Sequence, residues 1–215
     1  KIILQPTDTL GTVIVKARKK TSATSYIASQ NITVISSEAL LKAACCNLSE
    51  SFETNPSIDV NFSDAVYGTK QIKMLGLNSP YILITNENIP SVRGAAQVYG
   101  LSFIPGSWVE SIQVTKGAGS VTNGFESITG QINAELVKPL TDPKLFVNLY
   151  GSINGRLEIN THLNSRLNSN WSTGFYIHAD TRNQTFDKNK DSFLDMPLGK
   201  QINVMNKWQY TNLEK

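Results

Sequence analysis

From Lys144 onward, hydrophobic and polar residues alternate with period two. Leu145, Val147 and Leu149 fall on one face and Phe146, Asn148 and Tyr150 on the other, the spacing of a β-strand. Asn154-Gly155 then supplies a hairpin turn. Residues 156–166 alternate again through Leu157, Ile159, Thr161 and Leu163, residues 171–182 give a third strand, and residues 201–211 a fourth. Ten-residue alternating segments between turns are the pattern of membrane barrel strands, and a soluble antiparallel sheet writes the same pattern.

The preceding residues follow no single period. Ser36 or Ser37 can cap a helix that Glu38 favours electrostatically and that carries Leu40, Leu41, Ala44 and Leu48 at helical spacing; Pro56 ends it. Residues 71–75 and 81–84 predict short strands around Gly76 and the 78–80 turn. A polar and aromatic connection covers 91–106. The first 30 residues predict an extended β-branched strand, then a basic Thr/Ser-rich flexible tether.

Residues 104–139 place a Gly-punctuated turn between two short strands. Val109, Glu110, Ser111, Ile112, Gln113, Val114, Lys116, Gly117, Ser120, Gly124, Gly130, Ile132 and Asn133 together resemble the plug-domain signature of TonB-dependent outer-membrane receptors, of the Bacteroidetes type. Asn123 stands where that family usually has an aromatic residue, Gln131 replaces the second glycine of a pair, and Leu75-Gly76 stands where the family has Arg-Gly. The stretch 48–60 is similar to the family's early plug motif. Asp8, Thr9, Leu10, Gly11, Thr12, Val13, Ile14 and Val15 resemble a TonB box, which binds by adding a strand to a sheet edge; an ordinary terminal strand is the alternative.

The resemblance implies an α+β plug domain, a small mixed sheet with short helices, followed by the antiparallel strands of an incomplete outer-membrane β-barrel. The implied division is an N-terminal segment with the box and linker (1–30), a plug (31–140) and first barrel strands (141–215). Four strands cannot close a 22-stranded barrel, so the expectation is an N-terminal part of a longer receptor. The implied function is energy-coupled uptake of a scarce ligand, such as a siderophore or metal complex. Its implied setting is the outer membrane of a Gram-negative cell, N-terminus in the periplasm, with a TonB-type coupling protein, the ligand and outer-membrane lipid as partners. The alternative is a non-transporting binding or scaffold subunit of a larger outer-membrane assembly.

Composition narrows the remaining choices. The 215 residues are 40% hydrophobic, enough for a core, and the net charge is +3. The one basic cluster, Lys16, Arg18, Lys19 and Lys20, lacks interleaved aromatics, which argues against a nucleic-acid partner. No apolar run approaches the roughly 18 residues of a spanning helix, so any spanning role falls to strands. Cys45 and Cys46 are adjacent and read as two small buried residues on a helix, with a soft-metal role beside Met74 as the alternative. Gly117, Gly119 and Gly124 satisfy neither nucleotide motif, and His162 and His178 have no nucleophile at motif spacing, so both read as structural or surface residues. No catalytic residue is assigned, and no cofactor is required. Asp187, Asn189, Asp191, Phe193 (through its carbonyl) and Asp195 stand at relative positions 1, 3, 5, 7 and 9, a spacing that can wrap Ca²⁺. Ser192 replaces the turn glycine of such a loop and Leu198 its bidentate glutamate.

Overall fold

The computed structural model describes residues 22–25, 32–42, 47–53, 55, 58–63, 68–119, 122 and 124–212. The box-like stretch 8–15, Ser120, Asn123, Cys45 and Cys46 lie outside the described residues. The N-terminal unit contains strands β1 (Ser22–Ser25) and β2 (Ile32–Ser36), helix α1 (Ser37–Lys42), strands β3 (Asp59–Phe62), β4 (Lys70–Met74), β5 (Leu77–Asn78), β6 (Ile82–Asn86) and β7 (Ile89–Pro90), helix α2 (Gln97–Gly100), and strands β8 (Val109–Lys116) and β9 (Gly130–Leu136). After it come β10 (Leu145–Gly151), β11 (Arg156–Arg166), β12 (Trp171–Arg182) and β13 (Gly199–Tyr210).

The N-terminal unit is built on a six-stranded sheet of order β1-β2-β8-β9-β6-β7, with a separate β3-β4-β5 sheet. Among the described strands of this sheet only the β6–β9 pair is parallel, the others being antiparallel. Its core gathers Leu48, Phe52, Ile72, Met74, Ile82, Ile84, Leu101, Ile112, Val114 and Ile132, each 0–1% exposed. Three departures from expectation occur here. The helix expected to reach Leu48 is described only over Ser37–Lys42, and Leu48 lies in a turn beyond it. The polar linker contributes β1, whose Ser-Ala-Thr-Ser edge pairs with β2, and the connection 91–106 is a string of short helical turns including α2.

Glycine is required at two positions of the β8–β9 motif. Gly117 ends β8 at φ +88°, a backbone region that favours glycine. At Gly130 a Cβ would sit 2.6 Å from the carbonyl oxygen of Thr115 on the neighbouring strand.

Strands β10–β13 form a four-stranded antiparallel meander in sequence order. Its burial runs opposite to that of a soluble sheet. Asn160, His162, Tyr176 and His178 are 0–2% exposed, while Leu149, Ile202 and Val204 on the other face are 72%, 77% and 59% exposed. Water-facing sheets bury the apolar face because each large apolar side chain gains about 1.5–3 kcal/mol on burial. Here the polar face packs on the N-terminal unit, and the apolar face is exposed. Among the described residues no helix is long and apolar enough to cross a membrane; the strands carry the apolar surface.

Candidate functional site

The site is the seam between the N-terminal unit and the polar face of this wall. At one part of it Trp108 meets Tyr176 edge-on with ring centroids 6.4 Å apart, beside Val137, Leu136 and Met205. The Tyr176 hydroxyl donates to Asn164 Oδ1 at 2.9 Å. Asn164 Nδ2 in turn donates to Asp142 Oδ2 at 2.7 Å and to the Pro143 carbonyl at 2.8 Å. His162 Nδ1 donates to the same Asp142 oxygen at 3.0 Å. Asp142 thereby fastens the 137–144 connection to β11, where buried polar groups need partners.

A second cluster lies along β11 and β12. Ser107 Oγ donates to Asn160 Oδ1 at 2.8 Å, and His178 Nδ1 lies 2.7 Å from that oxygen. Arg156 stands between Glu50 of the N-terminal unit at 3.5 Å and Glu158 of the wall at 3.4 Å, with side chains 12%, 22% and 6% exposed. Gln201 Nε2 donates to the Ser102 carbonyl at 3.2 Å, and Asn203 Nδ2 to that of Phe103.

The third contact is positioned by Asn133. Its Oδ1 accepts from Thr85 Oγ1 and from the Asn88 backbone N–H, both at 2.8 Å. Glu87 and Asn88 both have positive φ, 51° and 63°, as a two-residue turn between β6 and β7 demands. With that turn pinned, the Glu87 carboxylate pairs with Lys207 of β13.

The model of the TonB-dependent receptor plug domain family matches residues 26–131. Residues 26–131 are a TonB-dependent receptor plug domain. The plug is followed by antiparallel wall strands that are not closed into a barrel. The fold is similar to that of the Pseudomonas aeruginosa receptor FpvA bound to a heterologous pyoverdine, at 19% identity and TM-score 0.64 over 78% of this chain and 24% of that one. It is also similar to a mutant of the ferric enterobactin receptor PfeA from Pseudomonas aeruginosa in complex with enterobactin (18%, TM-score 0.60, 83% and 30%) and to the siderophore receptor PiuA from Acinetobacter baumannii (16%, TM-score 0.58, 74% and 22%). The chain thus spans under a third of the length of each of these receptors. No curated protein matches it in sequence.

Within the receptor plug, the motif residues serve the seam unequally. Asn133 organises the Glu87 turn, Gly117 and Gly130 shape β8 and β9, and half-buried Glu110 lines a cavity of about 300 Å³ with Ser107, Asp142 and His162. Lys116 is exposed at the end of β8. Gly124 has φ +154° beside Arg93 and Glu126, which pair at 2.9 Å. His162 and His178 belong to the buried network. Met74 is core, its methyl against Gly130.

In the acidic loop the carboxylates named for calcium bond to the loop's own backbone. Asp187 accepts from the amides of Asp191 and Ser192 at 3.2 and 3.0 Å, Asp191 from that of Phe193 at 2.8 Å, and Asp195 from that of Lys188 at 2.9 Å. The carboxylates are drawn onto the loop's own N–H groups, as Asx turns do. Among the described residues no three His, Cys, Asp or Glu side chains gather as a metal would require.

Trp108, Asp142, Arg156 and Tyr176 were not singled out from the sequence. Their available signal was the polar row inside the alternating strands, which names a buried face only once something is known to cover it.

Proposed function

We propose that this chain forms the plug and the adjoining wall of an energy-coupled receptor in a Gram-negative outer membrane. The observation that carries the reading is the inverted wall: apolar side chains outward, polar side chains bonded to the plug. An interface made largely of hydrogen bonds suits a plug that must move, since each bond exchanged for water costs only about 0.5–1.5 kcal/mol net. Residues 8–15 would pair with a TonB-type protein from the periplasm by strand addition, and the pull would reach the seam through β1, β2 and β8.

On this reading the short turn 167–170 faces the periplasm and the longer loop 183–198 faces outward, the loop asymmetry of outer-membrane barrels. The ligand class we propose is a siderophore or other metal complex, because FpvA and PfeA are solved with pyoverdine and enterobactin. The plug surface offered to it is the 75–76 turn and the 91–106 connection, where Leu75, Tyr99 and Phe103 are exposed. Such turns on a rigid scaffold commonly carry recognition.

Deleting residues 8–15 from the full receptor should abolish uptake of a ferric siderophore and leave its binding to whole cells unchanged. Uptake at the undeleted rate would overturn the coupling assignment.

A further inference from the structure

The outward face of the wall is not uniformly apolar, and the place where it carries charge has the shape of a site. Among the described strand residues on that face, a single charged side chain stands, Lys200, at the start of β13. At the far end of the same face Trp171 packs against Trp208 and Tyr210, with centroids 6.4 and 5.0 Å apart. Aromatic residues of this kind settle at a membrane–water boundary. The ten steps from Lys200 to Tyr210 extend about 33 Å, or about 25 Å along the membrane normal at a tilt of ~40°, which is the height of an outer-membrane apolar band. Lys200 therefore stands at headgroup level in the opposite leaflet.

Below it the surface is hollow. Cross-strand partners run Leu157↔Thr181↔Lys200 and Ile159↔Ala179↔Ile202, so the small residues of β12 floor a valley whose walls are large side chains of β11 and β13. The groove encloses about 610 Å³, within the roughly 300–1,000 Å³ of small-molecule sites. A cation in the low-dielectric boundary attracts a phosphate strongly, and a grooved apolar surface packs one hydrocarbon chain better than a flat one does.

We propose that this groove binds one acyl chain of a phosphorylated membrane lipid, whose phosphate pairs with Lys200. The site rests on the membrane reading above and adds to it a specific lipid in the leaflet on the side of loop 183–198.

The test is native mass spectrometry of the full receptor, extracted from its own outer membrane in mild detergent, then delipidated and re-exposed to phosphatidylglycerol or phosphatidylcholine. Wild type should retain a phosphorylated lipid on extraction and rebind phosphatidylglycerol in preference to phosphatidylcholine. Lys200→Gln should lower that occupancy about fivefold, the factor one lysine is worth near an anionic lipid, and Ala179→Phe should fill the groove and remove the adduct. Both variants should keep the heat-modifiable mobility of a folded barrel. Equal lipid retention in wild type and both folded variants would overturn the site while leaving the receptor reading intact, as would a second protein chain in place of the lipid. A receptor absent from the membrane fraction would overturn both.

Discussion

Asn133 accepts a hydrogen bond from the backbone N–H of Asn88 at 2.8 Å, and through it a motif residue on β9 fixes the turn that carries Glu87 to the wall. Asn133→Ala would leave that amide without its side-chain acceptor and the fully buried Thr85 hydroxyl with only the Ile132 carbonyl, 3.3 Å away. Each hydrogen bond lost costs about 0.5–1.5 kcal/mol. Hydrogen exchange in the full receptor should show faster exchange over residues 82–90, with strands β10–β12 unchanged.

Arg156 sits between a plug carboxylate and a wall carboxylate. Its removal sets two acidic groups against each other across a partly buried seam. Arg156→Ala should weaken plug retention by about 3 kcal/mol, read as a lower urea midpoint for release of the plug in a receptor whose barrel stays folded. Arg156→Lys keeps the charge but not the two-pronged geometry and should fall between.

The apolar part of the seam is small and rests on Trp108. Truncating a buried aromatic costs about 3–5 kcal/mol, so Trp108→Ala should expose the plug to protease in outer-membrane vesicles. Trp108→Phe should restore most of the protection. Equal protease resistance in wild type and Trp108→Ala would mean that the seam does not depend on this contact.

Much of this fold was legible in the sequence because local rules governed it. Alternation placed β11 and β12 at their observed limits, and Asn154-Gly155 turned the chain between β10 and β11. The β8–β9 motif was legible through Gly117, whose positive φ favours glycine, and Gly130, where a Cβ would meet the neighbouring strand. What alternation could not say was which face is buried, since Leu149 and Asn148 change roles when the medium outside changes. The parallel β6–β9 pairing joins Ile82 to Gly130, a contact that no local pattern encodes. Arg156, too, gains its meaning only from Glu50, more than a hundred residues earlier.

The central claim is that β10–β13 turn their apolar face to lipid and their polar face to the plug. Its most direct test is a nitroxide scan of positions 201–206 in the full receptor in bilayers, recording collision with oxygen, which concentrates in lipid, and with a polar nickel chelate. The account predicts oxygen accessibility that alternates with period two, high at Ile202 and Val204 and low at Gln201, Asn203 and Met205. Nickel accessibility at Ile202 and Val204, or the loss of alternation, would contradict it.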